Sequence, residues 1–515
     1  MTTTVGWLSV QTLSITIWLI INTSMPSILV FDGALILDDF TAFIKTIILL
    51  SALSSILISF DYIKNQRLNS FEFNILILFS TLSMLFVTSS YDLISMYLAI
   101  ELQSLSFYVI AAFQRNLSEK NEFATEAGLK YFVLGALSSG FLLFGESLVY
   151  GFTGITNFEE LAKFLFMFPD SLMAKGITLI GLLFILIAFL FKLGAVPFHM
   201  WTPDVYEGAP TTAMAFFAIT PKIAIIALLL RLCLYTFYDL IETWQIIIII
   251  CSLLSMFIGT FGALNQKKIK RLLAYSSIAH VGYLLIGLAT GTIESIESLL
   301  LYITIYIPMI IATFGLFLML QSARAASTLK TITPLQYKFK KSPVSSLLAS
   351  NPIWNIHSKD LSYRGSKLLS FTSFPGDKKE NGTTHITDLS SLSKTNPLLA
   401  TSVAILFFSN AGVPPLAGFY GKFNVILDAI ASSMYLVALA AVICSVLGTF
   451  YSIRLVKIIY FHRMNLRQNK RVWYKIMSKE SSIIVAISFF FTIFFFLYPS
   501  FLFTITHSAA LSLCV

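Results

Sequence analysis

The chain has 515 residues, of which 57% are hydrophobic and only 12% are charged. Soluble domains carry about 25% charged residues, so this chain has too little polar surface to cover a water-soluble globule. The composition excludes a soluble enzyme, a disordered chain and a nucleic-acid-binding protein, and it predicts an integral membrane protein. The net charge of +9 does not indicate a polyanionic partner, because the basic residues are concentrated in a few connecting segments.

Thirteen stretches are apolar and long enough to cross a bilayer, which takes about 20 helical residues. They predict an all-α, polytopic membrane protein. In chain order they are 5–22, 41–60, 72–89, 91–113, 126–151, 175–197, 211–237, 245–263, 272–290, 297–320, 397–424, 429–457 and 481–505. Prolines within 211–237 and 397–424 predict that these two spans are interrupted.

The segments between the spans alternate in charge. Three basic segments, 61–71, 264–271 and 458–480, fall on one side of the membrane if all thirteen spans cross it. The positive-inside rule places this side and the N-terminus in the matrix or cytoplasm, and the C-terminus on the opposite side. Segment 198–210 is an exception, because it carries Asp204 and Glu207 on the basic side.

Residues 321–396 are polar and Ser-rich, with eleven basic and four acidic side chains. A long segment without helical periodicity indicates a linker or a docking segment. We expect a solvated insertion on the basic side, and the alternative is binding to anionic lipid headgroups or to a neighbouring subunit.

Ionisable side chains inside spans cost a few kcal/mol unless they are paired or hydrated, and they therefore indicate function. Glu101, Lys192 and Lys222 lie inside apolar spans, and Lys422 follows a pair of prolines. The alternative explanation is a structural ion pair. Buried carboxyl and amino groups change protonation when a partner or water moves, as a proton relay requires, and lysine, unlike arginine, can release its proton there.

Other charged side chains in the spans have simpler explanations. Glu126 and Lys130 are four residues apart and predict an interfacial salt bridge. Glu146 lies near a helix end, where we expect it to reach water. Arg231 and Arg454 are expected to extend their guanidinium groups to the membrane surface.

Two segments predict helices that are broken at membrane depth. FKLGAVPFHMWTPDVYEGAP places prolines and glycines after Lys192, and SNAGVPPLAGFYGKF places them before Lys422. Paired breaks of this kind are typical of inverted-repeat transporters with a site at the breaks. His280, in the middle of a span, is either a satisfied core histidine or a proton carrier between two lysine sites. His199, beside Trp201, is expected to be interfacial.

Six segments together resemble one known family. They are LISMYLAIELQSLSFYVIAA, EAGLKYFVLGALSSG, FKLGAVPFHMWTPDVYEGAP, IKRLLAYSSIAHVGYLLIG, AGVPPLAGFYGKF and FFFLYPSFLFTITHSAALSL. They resemble the subunit 2 family of mitochondrial NADH–ubiquinone oxidoreductase, respiratory complex I, of the plant and algal type. The resemblance covers about 1–320 and 385–515. The third segment is typical of the antiporter-like subunits of this enzyme, and its combination with the others is typical of this subunit.

The resemblance implies an antiporter-like, proton-translocating subunit of the membrane arm, driven by quinone reduction elsewhere in the complex. Its relay would use a Glu101–Lys192 pair, a central Lys222 and a terminal Lys422, with His280 as a polar link. The implied regions are N-terminal helices in 1–71, a first antiporter-like half in 72–210, central helices and the start of a second half in 211–320, the basic insertion in 321–396, and a broken helix with C-terminal helices in 397–515.

The same resemblance implies that the chain is part of an enzyme without holding its redox sites. The four cysteines, Cys233, Cys251, Cys444 and Cys514, lack metal-ligand spacing and predict neither an Fe–S cluster nor zinc. NADH, FMN, Fe–S clusters and ubiquinone are expected on partner subunits, with no cofactor or metal in this chain. The expected surroundings are other membrane-arm subunits and lipids, including anionic cardiolipin, in the mitochondrial inner membrane. The N-terminus has neither a signal peptide nor a transit peptide pattern, which predicts insertion without import from the cytosol.

The chain departs from the family pattern in two places. The family begins one helix earlier, since 5–22 resembles its second helix, so the first would be absent, unrecognised or made as a separate chain. Segment 325–384 has no counterpart in the resemblance. Two other functions fit the buried charges: a stand-alone Na⁺/H⁺ antiporter, and a structural membrane subunit whose charges only orient helix packing. A plastid-type NADH dehydrogenase-like subunit is a weaker third.

Overall fold

The computed structural model describes residues 2–23, 27–65, 71–114, 120–167, 172–339, 385–390, 392–462 and 479–514. Its helices and strands, in chain order, are α1 (Thr2–Asn22), β1 (Ile28–Val30), β2 (Leu35–Leu37), α2 (Asp39–Asn65), α3 (Glu72–Ser89), α4 (Leu93–Ala111), α5 (Lys120–Thr153), α6 (Phe158–Met167), α7 (Leu172–Leu193), α8 (Trp201–Gly208), α9 (Thr211–Arg231), α10 (Ile241–Leu264), α11 (Ile269–Thr290), α12 (Ile293–Phe339), α13 (Leu392–Thr395), α14 (Pro397–Ala411), α15 (Ala417–Ala431), α16 (Tyr435–Phe461), α17 (Lys479–Phe494) and α18 (Ser500–Cys514).

Twelve helices in the described part of the chain are long and apolar enough to cross a membrane. The remaining predicted span, 397–424, is the pair α14 and α15 with a break at 412–416. The structure is therefore the predicted helical membrane protein. Antiparallel β1 and β2 form a short hairpin, with Leu29 opposite Ile36.

Two predicted spans differ from the observed helices at their ends. Span 481–505 is divided into two helices: α17 ends at Phe494, and α18 begins at Ser500, directly after Pro499. Proline cannot donate the backbone hydrogen bond that would continue the first helix. The backbone of α12 continues to Phe339, beyond the predicted end near 320. The extension begins with the strong helix formers Gln321, Ala323, Arg324, Ala325 and Ala326 and continues past Pro334. The rest of the basic insertion, 340–384, lies outside the described residues, as do 463–478 of the basic segment 458–480.

Polar side chains within the helices are compatible with an apolar environment because they bond to their own backbone. Ser51 and Ser80, for example, donate to the carbonyl three residues earlier, at 2.8 Å each. Bonds of this kind satisfy a hydroxyl without water or a partner helix.

Helix α9 lies at the centre of the molecule, and all of its residues are buried. It packs against α2, α3, α7 and α12, while α1 packs against α2 and α3 at the periphery. The second half packs around α12, which contacts α15, α17 and α18. Residues on α9 are therefore shielded from lipid, and Lys222 is one of them.

Contrary to the prediction for 211–237, α9 is not interrupted at Pro221. Proline removes the hydrogen bond to the carbonyl four residues earlier, here Phe217. The Tyr206 hydroxyl on α8 donates to this carbonyl at 3.3 Å. The helix continues because a neighbouring side chain supplies the lost donor.

Candidate functional site

Lys192 lies in the last turn of α7, immediately before the first helix break. The chain leaves the helix through Gly194, whose φ of +73° favours glycine. The indole Nε1 of Trp201 donates to the Phe191 carbonyl at 2.9 Å, so one carbonyl at the end of α7 is satisfied from α8. The break therefore holds the Lys192 backbone in a defined place at membrane depth.

Glu101 lies on α4, where Ser104 is its nearest polar contact. The Ser104 hydroxyl is 3.3 Å from Glu101 Oε2 and also donates to the Glu101 carbonyl at 2.9 Å. Among the described residues, no charged partner lies within ion-pair distance of Glu101 or of Lys192. Lys192 nevertheless lies in the electric field of Glu101, so the two residues interact across a gap rather than by direct contact.

A cavity of about 20 Å³ between α4, α5, α7, α8 and α9 connects Lys192 with Lys222. Ser104, which contacts Glu101, also lines it. Two further polar groups line it, the Tyr108 hydroxyl and the Gln103 Oε1, and this Oε1 is buried without a hydrogen-bond partner in the described part of the chain. A polar cavity of this size accommodates a water molecule, and these two groups are placed to bind it.

Lys222 is 5% exposed and directly follows Pro221 on α9. Its Nζ donates to the Ser277 carbonyl of α11 at 3.4 Å, which is a long contact for an ammonium group. Tyr206, which supports the helix at Pro221, lines the same cavity. Lys222 thus faces the cavity on one side and α11 on the other.

His280, on α11, lies in the electric field of both Lys222 and Lys422. Its Nδ1 is 2.6 Å from the Tyr302 hydroxyl on α12, and its ring is 5.1 Å from the ring of Tyr306. The imidazole is therefore both hydrogen-bonded, as a core histidine would be, and located between the two lysines.

Lys422 lies on α15, just after the second break, and its ammonium group binds the end of α14. Its Nζ donates to the carbonyls of Asn410 and Ala411 at 2.7 and 3.0 Å, and it lies 5.3 Å from the centre of the Tyr283 ring. The last carbonyls of a helix carry partial negative charge. The second break therefore supplies a site for a cation built from backbone atoms, as expected of broken helices in transporters.

Gly418 allows α14 and α15 to approach closely at this break. A Cβ at this position would collide with the Ser409 backbone carbonyl, and backbone cannot move aside as a flexible side chain can. We expect Gly418→Ala to lower the stability of the protein by about 1–3 kcal/mol and to displace Lys422. Gly140→Ala is the matched control, because no atom of the described residues lies within 4 Å of a Cβ there. Equal thermal stability of the two variants would contradict this assignment.

The acidic residues of segment 198–210 are explained by their partners. Asp204 pairs with Lys130 at 2.9 Å and with Arg271 at 2.8 Å, and Glu207 contacts Lys268 and Arg271. Lys130 also forms the predicted pair with Glu126, at 2.7 Å. The acidic segment 198–210 therefore lies against the basic segment 264–271. These ion pairs explain why acidic residues are found on the basic side of the protein.

Two charged residues differ from their predicted environments. Arg231 does not extend to a surface but pairs with Asp38 at 2.7 Å, with both side chains buried. Glu146 does not reach water, since it is 7% exposed. Their positions near helix ends suggested water, but neighbouring helices cover both side chains. Four polar residues of the site were not predicted from the sequence: Gln103, Ser104, Tyr108 and Tyr206. The sequence around a polar residue does not indicate whether its side chain faces a cavity.

The sequence model of the family described as NADH:quinone oxidoreductase/Mrp antiporter, TM, matches residues 90–355 and 360–448. The chain is 47% identical to NADH-ubiquinone oxidoreductase chain 2 of Marchantia polymorpha, over 99% of this chain and 91% of that protein. It is 42% identical to chain 2 of Arabidopsis thaliana, over 99% and 89%. The chain belongs to the NADH-ubiquinone oxidoreductase chain 2 family.

The fold of this chain 2 family member is also found in solved structures. A chain of respiratory complex I from Thermus thermophilus matches with a TM-score of 0.70 at 24% identity, over 98% of this chain and 94% of that one. A chain of the Mrp complex from Dietzia sp. DQ12-45-1b matches with a TM-score of 0.77 at 17% identity, over 100% and 93%. The fold is thus the membrane antiporter-like fold.

Chain 2 family membership confirms the resemblance seen in the motifs. The chain is an antiporter-like membrane-arm subunit of the respiratory chain's proton-translocating NADH:quinone oxidoreductase. One expectation changes: the family match includes most of 325–384, so this segment has a family counterpart. The segment carries none of the six motifs, so the resemblance gave no counterpart for it.

Proposed function

We propose that the proton path through this subunit uses Glu101, Lys192, Lys222, His280 and Lys422. The observation that carries the proposal is their arrangement: a cavity joins Lys192 to Lys222, and His280 lies in the field of both Lys222 and Lys422. None of the three lysines has a carboxylate partner within ion-pair distance among the described residues. An ammonium without a fixed carboxylate partner is free to give up its proton.

Glu101 controls the first step of this path. Its negative charge favours the proton on Lys192, and Ser104 connects its carboxylate to the cavity wall. When the interaction weakens, Lys192 releases its proton into the cavity, towards Lys222. A change of one pKa unit corresponds to about 1.4 kcal/mol, so a small movement of Glu101 is sufficient to shift the equilibrium.

His280 and Lys422 complete the path. A neutral imidazole accepts a proton on one ring nitrogen and can donate one from the other, and Tyr302 orients the ring. Lys422 then holds the proton at the carbonyls that end α14. Because those carbonyls are neutral acceptors, they stabilise the ammonium group without fixing it as firmly as a carboxylate would.

The chain contributes proton transfer, and its partners contribute the redox chemistry. We infer that NADH, FMN, Fe–S clusters and ubiquinone bind other subunits of the complex. The expected neighbours are membrane-arm subunits and inner-membrane lipids, including anionic cardiolipin at the basic segments, with no nucleic acid.

We infer that the N-terminus and the basic segments face the matrix and that the C-terminus faces the intermembrane space. The contact of His507 with Glu297, at 2.9 Å, supports the placement of the C-terminus opposite the basic segments. It holds α18 near the start of α12, and α11 separates this point from the basic segment 264–271.

Lys192→Met tests the path directly. Methionine has a similar length and no proton to give, so we expect the rate of proton pumping coupled to quinone reduction to fall roughly 10²-fold in vesicles that contain the whole complex. NADH oxidation with an artificial electron acceptor should be unchanged. The control is Lys163→Met, which removes an exposed lysine on α6. Unchanged pumping in Lys192→Met would contradict the proposed path.

Native electrophoresis separates this function from its rivals. Peptides of this chain in a very large NADH-oxidising band are expected for a complex I subunit. A small band without that activity, together with cation-dependent proton flux in vesicles, would instead support a stand-alone Na⁺/H⁺ antiporter. Loss of the large band in Lys222→Met, with no separate transport defect, would support a purely structural subunit.

A further inference from the structure

Helix α5 carries a buried carboxyl group that the path above does not use. Glu146 is 7% exposed, and its Oε1 has no hydrogen-bond partner in the described part of the chain. A buried carboxyl oxygen without a hydrogen-bond partner is costly, and Glu146 has no salt bridge among the described residues. Its presence is therefore not explained by helix packing.

Glu146 lies on the same face of α5 as residues of the cavity. Gly135 and Ser138 line the cavity, and Leu142 and Glu146 follow at spacings of four residues. Eight residues from Ser138 to Glu146 correspond to about 12 Å along a helix. Helices α5 and α7 are in close contact here, since a Cβ on Gly145 would lie 2.7 Å from the Gly181 carbonyl oxygen. Glu146 therefore lies on α5 between the cavity and the C-terminal end of this helix, in a region where α7 packs closely against α5.

Helix α4 packs against α5 and carries protonatable groups at the level of Glu146. Gly128 and Gly135 of α5 lie against Ala112 and Tyr108 of α4, so the two helices run antiparallel. Tyr97 and Glu146 are each eleven residues, about three helical turns, from the Tyr108–Gly135 contact and lie at the same level. Tyr97 is also one helical turn from Glu101. Asp92 immediately precedes α4, and its Oδ1 is buried without a hydrogen-bond partner among the described residues. Asp92 also forms a backbone bridge with Asn157, next to the acidic residues that begin α6.

We propose that Glu146 is a further proton-carrying residue, which connects Glu101 to Asp92 and so to the side of the protein opposite the basic segments. This branch rests on the proposed path, because Glu101 is its starting point. After Glu101 has accepted a proton, it gives that proton to the Tyr97 hydroxyl oxygen while that hydroxyl passes its own proton to the Glu146 carboxylate. One proton moves, no electrons are transferred and Tyr97 is regenerated. Glu146 then gives the proton to Asp92.

The test compares Glu146→Gln with Glu146→Asp in whole complex I reconstituted in vesicles. Glutamine has the same shape but cannot carry the proton, so we expect pumping coupled to quinone reduction to fall roughly 10²-fold. Aspartate should retain most of the activity, and NADH oxidation with an artificial acceptor should not change in either variant. The control is Glu160→Gln, which removes an exposed acid on α6.

The outcomes distinguish a failure of this branch from a failure of the main proton path. Normal pumping in Glu146→Gln, when Lys192→Met abolishes it, would overturn this branch and leave the main path intact. Normal pumping in both variants would overturn the proposed path itself. If Glu146→Gln fails to assemble, Tyr97→Phe replaces it, since this change removes only a hydroxyl group. Slower pumping in Tyr97→Phe is then expected, and pumping at the full rate would overturn the branch.

Discussion

Replacing Lys222 by either methionine or arginine is expected to abolish proton pumping, with a loss of roughly 10²-fold or more. Methionine cannot carry a proton, and arginine does not release one in a protein. Lys222 is the only route between the cavity and His280 in the proposed path, because it contacts the cavity on one side and the Ser277 carbonyl on the other. Proton uptake by vesicles during NADH oxidation measures the effect.

The arginine variant distinguishes a proton carrier from a structural charge. If Lys222 served only to provide a positive charge near Ser277, Lys222→Arg would pump nearly normally and Lys222→Met would be the defective variant. Replacing a buried charge by an apolar side chain of similar volume is often tolerated, so we expect both complexes to assemble. The corresponding changes at the exposed Lys163 should have no effect on pumping or on assembly.

Breaking the buried pair between Asp38 and Arg231 is expected to have the largest effect on stability. The side chains are only 7% and 3% exposed, and the Arg231 guanidinium group lies between the rings of Phe40 and Tyr91, at 5.7 and 5.9 Å. Removing one partner leaves the other charge buried and unpaired, which costs about 3–5 kcal/mol. We expect Asp38→Asn to lower the thermal stability of the purified complex accordingly.

Asparagine is chosen because Asp38 also caps the start of α2, and the substitution should remove the ion pair without removing this cap. The Asp38 Oδ1 accepts from the Thr41 backbone N–H at 2.9 Å at the start of α2, and asparagine can make the same capping bond. The double variant Asp38→Asn with Arg231→Met should recover much of the loss, because no unpaired charge remains. The exposed Glu159–Lys163 pair is the control, and Glu159→Gln should have almost no effect on thermal stability, because water screens exposed ion pairs. Equal losses in Asp38→Asn and Glu159→Gln would contradict the assignment.

The relay candidates could be predicted because a charge within an apolar span is visible locally. Each of the four candidates interrupts or closely follows a run of hydrophobic residues: Glu101, Lys192, Lys222 and Lys422. The helix breaks beside Lys192 and Lys422 are marked by prolines and glycines. The same local signal was misleading at Pro221, where the Tyr206 hydroxyl on another helix preserves α9. Proline removes a donor wherever it occurs, but only the surrounding structure determines whether another donor replaces it.

Hydropathy, charge and the positions of proline and glycine along the chain were sufficient for the membrane class, the approximate spans, both helix breaks and the family. These properties depend on each residue and its near neighbours, so one sequence contains them. The burial of Glu146, the pairing of Asp38 with Arg231 and the cavity formed by Gln103, Tyr108 and Tyr206 depend on residues that are remote in the chain. Asp38 and Arg231 are 193 residues apart, and only the packing of α2 against α9 brings them together. Tertiary structure decided these features because it determines which helix faces exclude water and lipid.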